Sequence, residues 1–514
     1  MNATLRPVAA VTAGEVTAGK RALVWDAAWA SITGAWSGGV ILVGLALHLH
    51  AGPMTIGLLA AIPFIAQLVQ MPTIYLVERM RRRKAIGIPA LTLARALILV
   101  TGLLALMPEG APRVGLLVAA QLMIALLGSL GAGAINSWFH QLLPVDTLGS
   151  FFGRRLLVAS SLACAATLAA GLVVDHPPLG RTGMGYAAIF MLAGLAGFAS
   201  SYCLACAPEP AMPPRSAMVP LRELVREPLR DRNFRHLLIL LAGWNVASNI
   251  VAPFLAVYLI QQVGYGLGTV TLLWAISQMF NAAALHLWGR LSDRLSNRSV
   301  LAVALPVYFA ATLGFVFAGM VERPELKLLL FYLLHAVMGA AAGGISLATG
   351  NLGLKLAPQG RGTSYLAVVG LVAALAGGVA PLLGGALAQW FSTRELSVIV
   401  RWISSADMRE VTVVGFAHWE FLFALSACLG LYVMHALYRV EEGPEISERV
   451  VIQALALEAM RTVNHLSSVG GVLGSVFSFA RQGGARLLPW QIVRRGTASR
   501  APRSTFGRRN RRLP

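Results

Sequence analysis

Charge is what this sequence has least of. Only 12% of its 514 residues are Asp, Glu, Lys or Arg, against 57% hydrophobic, a balance far outside that of soluble domains. Lysine is scarcer still: Lys20, Lys84, Lys327 and Lys355 are the whole set, and none is followed by Ser or Thr. That excludes a phosphate-binding P-loop, and with it an ATP-driven pump within this chain. There is no Asp-x-Asp and no His with an Asp five residues on, so the carboxylate or metal cluster that a polytopic transferase would need is missing. The four cysteines (Cys164, Cys203, Cys206, Cys428) all fall in apolar runs, which argues against a disulfide framework or zinc cluster. Cys203 and Cys206 form a CxxC without His or Cys partners and read as packing residues. Residues 1–20 lack the short apolar core of a cleavable signal, so the first apolar run, from Ala22, is expected to be retained.

What is present is a succession of apolar runs, each long enough to cross about 30 Å of hydrocarbon as a helix rising 1.5 Å per residue. The spacing predicts spans over about 22–47, 55–77, 85–107, 114–139, 156–174, 185–206, 237–260, 268–288, 300–320, 328–354, 363–391 and 418–438. With the amino terminus inside, inner loops before the tail hold 21 Lys or Arg and outer loops seven, the asymmetry of the positive-inside rule. An even number of spans returns the carboxyl tail, with 13 further Arg, to the same side. The expected location is the cytoplasmic (inner) membrane, with both termini cytoplasmic.

The Pro-rich, then Arg-rich stretch 207–236 reads as a linker between two halves of six spans. An internal repeat supports that division. Glu78-Arg79-Met80-Arg81 follows the second span and Asp293-Arg294-Leu295-Ser296 the eighth, an offset of 215; Pro144 and Pro358 open the loops after the fourth and tenth, an offset of 214. The expected domains are 1–206, a six-helix bundle; 207–236, a cytoplasmic linker; 237–439, a second bundle; and 440–514, an amphipathic helix and basic disordered tail.

The segment Gly289-Arg290-Leu291-Ser292-Asp293-Arg294-Leu295-Ser296-Asn297-Arg298 resembles the G-x-L-x-D-R-x-G-R-R signature of the major facilitator superfamily. Its first-half copy, Ile74 to Arg83, keeps the acid and the basic cluster but has Ile74 for the leading Gly, which weakens close helix approach there. The resemblance implies an all-α membrane protein, with twelve transmembrane helices in two pseudo-symmetric six-helix bundles that rock about a central site. It also implies a conformational latch at Glu78, Arg79, Asp293 and Arg294. Independently, an acid beside Arg at a helix end can form charge-assisted bonds to a neighbouring helix; the plainer reading is that these charges only keep the loop inside. Ala376 to Gly385 is similar to the Gly-Pro-Gly-Gly motif of drug antiporters but lies in the eleventh span, not the fifth, so a kink at Pro381 among closely packed small residues is preferred.

Ionisable groups deep in a bilayer are costly and are functional candidates. Asp26 in the first span and Arg95 in the third could form a structural ion pair, couple a proton or hold an anionic substrate. Glu420, beside His418 and Trp419, reads as an interfacial anchor. Polar stripes mark further candidates: Asp26, Thr33 and Ser37 on the first span; Asn245, Ser248 and Asn249 on the seventh; His335, Ser346 and Thr349 on the tenth. The fourth adds Gln121, Ser129 and Asn136. In the family that the sequence resembles, the first, fourth, seventh and tenth helices line the central cavity. The Trp25, Trp29, Trp36 stripe and the Gly34, Gly38 pair read as helix packing.

Residues 444–466 suggest a surface amphipathic helix, and the eight Arg between Arg494 and Arg512 a tail that meets anionic membrane lipids, with no nucleic-acid module. The expected function is secondary transport of a small-molecule substrate by a monomer without cofactor or metal. A membrane enzyme and a non-transporting receptor or scaffold are the alternatives. A cavity of Asn, Ser, Thr, Trp and one His suits a neutral or mildly amphipathic solute.

Overall fold

The computed structural model describes residues 7–8, 11–143, 148–212, 221–358, 361–403 and 408–442. All lie in one compact unit, Met1–Ile452, while Gln453–Pro514 forms a second unit that is outside the described residues. The expected surface helix 444–466 and Arg-rich tail therefore also lie outside the described residues, as do parts of the loops at Pro144 and Gln359.

Apolar sequence becomes helix here because a helix satisfies its own backbone hydrogen bonds where no water can. The first span is α1 (Ala13–Ser37) continued by α2 (Gly39–His48); the second is α3 (Pro53–Gln67) with α4 (Gln70–Met80). The third to sixth are α5 (Arg83–Thr101), α6 (Arg113–Leu142), α7 (Leu148–Asp175) and α8 (Thr182–Cys206). A short α9 (Leu221–Arg230) stands in the central segment. The seventh span is α10 (Arg232–Asn249), α11 (Ala252–Val257) and a π-helical turn, Tyr258–Gln262. The eighth to twelfth are α12 (Leu267–Arg294), α13 (Asn297–Gly319), α14 (Pro324–Lys355), α15 (Gly362–Phe391) and α16 (Glu420–Tyr438). Among the described residues, eleven stretches are long and apolar enough to cross a membrane, and the bent second pair, set at 42°, makes a twelfth when counted as one span.

One element departs from the helical expectation. Between the last two spans, β1 (Glu395–Ile403) and β2 (Met408–Ala417) form an antiparallel hairpin with an irregularity at Val398 and Ile399. The runs Val398-Ile399-Val400 and Val411-Thr412-Val413-Val414 explain it, since β-branched side chains favour a pleated surface over a helix.

The two halves pack on one another toward the end of the molecule opposite Val8 and Glu442. We call this the far end, and the other the termini end. A common apolar core there draws Ile41, Leu45 and Phe190 from the first half and Phe254, Leu267, Phe315 and Phe423 from the second. Glycines permit the approach: a Cβ on Gly57 of α3 would stand 2.3 Å from the Pro381 carbonyl of α15, and one on Gly385 2.8 Å from the Pro53 carbonyl. Gly377 and Gly378 meet Phe64 and Ile65 in the same seam, as the reading of closely packed small residues around Pro381 expects. At the termini end the apolar cluster of Leu23, Ile135, Trp138 and Leu204 belongs to the first half alone.

Candidate functional site

Both halves open with a broken helix. The first span breaks at Gly38, which is extended, and Gly39, whose φ is +51°; the seventh breaks at Ile250 and Val251, just before Pro253. Glycine adopts positive φ without steric cost, and proline cannot continue a hydrogen-bond ladder, so the breaks are local in origin. Gly34, expected to pack, has open space around it, and only Trp36 of the Trp stripe reaches into its bundle, donating to the Ala166 carbonyl at 2.7 Å. Trp25 and Trp29 are exposed. Gly38 thus marks the helix break, and Gly34, inside α1, packs against no neighbouring helix among the described residues.

Polar candidates cluster at these breaks. Ser37 stands at the first, its hydroxyl bonded to Thr33 O at 2.7 Å. At the second, Asn245 and Asn249 donate to Leu241 O and Asn245 O at 2.8 and 2.9 Å, and Ser248 to Trp244 O at 2.7 Å, which leaves both amide oxygens available as acceptors. Ser346 on α14 is exposed and Thr349 is half-buried. Two candidates turn elsewhere. Thr33 Oγ1 lies 3.0 Å from Trp29 O of its own helix and 3.1 Å from Ala193 O of α8. His335 is buried inside the second half, with Nδ1 2.9 Å from Phe331 O and its ring edge-on to Phe315. The side chain of Asn136 lies outside the described residues.

Asp26 and Arg95 do meet, but through an intermediary. Arg95 donates to Ser200 Oγ at 2.8 Å and to Ser201 Oγ, and Ser200 Oγ donates to Asp26 Oδ1 at 2.7 Å. The salt bridge of Asp26 is with Arg155 of α7, at 3.3 Å. Gly197 makes this possible, because a Cβ there would stand 2.5 Å from Arg95 Cγ. Asp26, Arg95, Ser200 and Ser201 are all buried, whereas the Arg155 side chain is 27% exposed. Two cations and one carboxylate thus share a hydroxyl-lined cluster inside the first half. Ser200, Ser201 and Arg155 were not singled out by sequence. The serine pair in an otherwise apolar span was the available signal.

At the termini end, each half is tied by an acid that follows its last span. Glu209, three residues past α8, accepts from the backbone N–H of Arg83 and Lys84, at 2.7 and 3.2 Å, and its Oε1 is 3.5 Å from Arg83 Nε. Glu442, past α16, accepts from Asn297 Nδ2 and Arg298 N, both at 2.6 Å, and from Lys355 Nζ at 3.0 Å. Arg83 and Asn297 begin α5 and α13, so the internal repeat extends to these anion-capped helix starts, where a carboxylate meets the positive end of the helix dipole. Burial opposes the charge on Glu442, but the hydrogen bonds from Arg298, Asn297 and Lys355 outweigh it and hold its carboxyl below the usual glutamate range. The linker is therefore not a free tether from Ala207: its first residues are built into the first half, and Val8 pairs with Pro210 beside Glu209.

The signature loops also lie at the termini end. Glu78 bonds Arg81 at 3.3 Å within its own turn, and Arg81 reaches Met212 O at 2.8 Å. Asp293 and Arg294 are exposed, and Gly289 has nothing within 4 Å of its would-be Cβ. Gly289 thus makes no close helix approach in this conformation. Among the described residues no three of His, Cys, Asp and Glu gather as a metal ion would require.

Two six-span halves, each opening with a broken helix and, among the described residues, sharing an apolar core at the far end, define a membrane protein built to move a solute past a central site. The sequence profile of the Major Facilitator Superfamily matches residues 25–381, more than half of the chain, and the chain belongs to that superfamily; it is a secondary transporter with a small-molecule substrate. No curated protein matches the sequence. Among solved structures, the nucleoside transporter NupG superposes with a TM-score of 0.60 at 11% identity, over 84% of this chain and 100% of its own. An inward-facing, unoccupied bacterial homologue of the human lysosomal transporter Spinster gives 0.56 at 12%, over 85% and 100%. A bacterial homologue of the iron transporter ferroportin, also inward-facing, gives 0.58 at 14%, over 84% and 99%. At such identities the likeness is one of fold alone.

Proposed function

We propose that this transporter moves a small neutral or mildly amphipathic solute across the cytoplasmic membrane by alternating access, as a monomer without enzymatic activity. Residues 1–206 and 237–439 are the moving halves, 207–236 joins them, and 440–514 is a cytoplasmic tail that meets anionic lipid. The termini end faces the cytoplasm, in keeping with its excess of Arg and Lys. The observation that carries the reading is the pair of breaks at Gly38 and Ile250, flanked by Ser37 and by Asn245, Ser248 and Asn249. Interrupted helices in corresponding positions of two repeats are where transporters of repeat architecture hold substrate, because unwound backbone offers polar groups at mid-depth. Asp293 and Arg294, with Glu78 and Arg79, act as a latch in the opposite conformation, when the termini end closes.

Asp26 carries the coupling proton. Of its two tethers, Ser200 is fixed within the bundle, while the partly exposed Arg155 can swing toward water and free the carboxylate for protonation. A compound library screened for ligands that raise the unfolding temperature of the purified protein supplies a substrate for liposome assays. With it, Asp26→Asn should abolish accumulation driven by a pH gradient and retain substrate exchange, since the amide keeps the bond to Ser200 and exchange needs no net proton movement. If the cluster is only structural, the variant loses exchange and stability together. Wild-type activity in both assays would reject either role.

A further inference from the structure

The seam between α7 and α12 differs from the α3–α15 seam in being polar. Asp175, the last residue of α7 and part of the first half, accepts from the backbone N–H of Leu267 at 2.9 Å through Oδ1 and of Gly268 at 2.8 Å through Oδ2. These are the first two residues of α12, in the second half. The N-cap position of α12 is Gly266, which offers no side-chain cap of its own, so the cap comes from the opposite half. Space for it is reserved: a Cβ on Gly266 or Gly268 would stand 2.8 or 2.7 Å from Asp175 Oδ2. One turn earlier on α7, Gly171 lies against Thr271 and Gly268, and Thr271 is fully buried in that contact. The α3–α15 seam, by contrast, is held by apolar packing across glycines.

We propose that Asp175 is the polar clasp of the far gate, a positioning residue that sets how the transporter divides its time between its two openings. The first N–H groups of a helix have no intrahelical partner, so α12 is capped by protein only while the far end is shut. When the halves part there, both donors and the carboxylate must turn to water. The clasp therefore biases one conformation and contributes nothing to the other, which is the condition for shifting a two-state equilibrium. The inference rests on the rocking-halves reading of the fold, but it needs neither the substrate nor the role of Asp26.

Cysteine labelling with a membrane-impermeant maleimide tests it in the full chain, after replacement of the four native cysteines. Thr271→Cys reports the far seam. Ser346→Cys, exposed on α14 toward the termini end, reports the opposite opening. Asp175→Ala should raise the Thr271→Cys labelling rate from the far side by roughly 3- to 30-fold, the range for loss of an N-cap, and lower Ser346→Cys labelling from the termini side. The isosteric Asp175→Asn should do the same to a smaller extent and keeps the test open if the alanine variant does not fold. Unchanged labelling at Thr271→Cys refutes the clasp. A rise there that is not shared by Ala388→Cys, which is buried in the far-end core on α15, also refutes it, because local fraying of α12 would produce that pattern.

Discussion

Replacing Glu209 by Gln tests the termini-end construction most sharply. Glu209 is 1% exposed and Arg83 0%, so the substitution leaves a guanidinium sealed in the protein without its carboxylate. It also removes an acceptor from one of two backbone N–H groups at the start of α5. Removing one partner of a buried ion pair costs about 3–5 kcal/mol, because the surviving charge cannot be solvated where it lies. Glu442 supplies the internal comparison. Its cation, Lys355, has a side chain 58% exposed that can turn to water, so Glu442→Gln weakens charge-assisted hydrogen bonds worth about 1.5–3 kcal/mol without stranding a buried charge. At roughly 2–4 °C per kcal/mol for units the size of one half, Glu209→Gln should unfold roughly 6–20 °C below wild type and clearly below Glu442→Gln. Thermal unfolding of the purified protein, followed by tryptophan fluorescence, gives both midpoints. A Glu209→Gln midpoint within a degree or two of wild type, or a larger loss for Glu442→Gln, would refute the burial argument.

Two further outcomes follow from the same geometry. Because the Glu442 carboxyl is held below its ordinary value, its contribution to stability is present above the unfolded-state pKa and is lost as the pH falls through the folded one; the thermal midpoint of wild type should therefore drop on acidification below the glutamate range by more than that of Glu442→Gln, and parallel curves would contradict the assignment. A reporter fused after Arg235 should read as cytoplasmic, as the loop charges require, and a signal from the opposite side would overturn the orientation.

The number of spans, the helical class, the two halves and the repeat offsets were legible in the sequence. They rest on run length and on the cost of unsatisfied backbone in hydrocarbon, and both are local properties of the chain. So was the candidacy of Asp26 and Arg95, since any charge within an apolar run stands out. Their partners were not legible. Arg155 reads as one more loop charge until α7 is packed beside α1, and Ser200 reads as an ordinary small residue until Gly197 lets Arg95 pass close to α8. Thr33 and His335 share helical faces with cavity candidates, yet Thr33 meets α8 and the His335 ring packs on Phe315 of α13, because periodicity gives a direction around a helix and not the neighbour that occupies it. The hairpin at 395–417 has a β-branched signature that a reading focused on spans passes over. Which end of the molecule is closed is a property of tertiary structure alone. One sequence must serve both conformations, and the contacts that distinguish them, Gly57 on Pro381 and Asp175 on the start of α12, join residues hundreds or scores of positions apart that only the packed halves bring together.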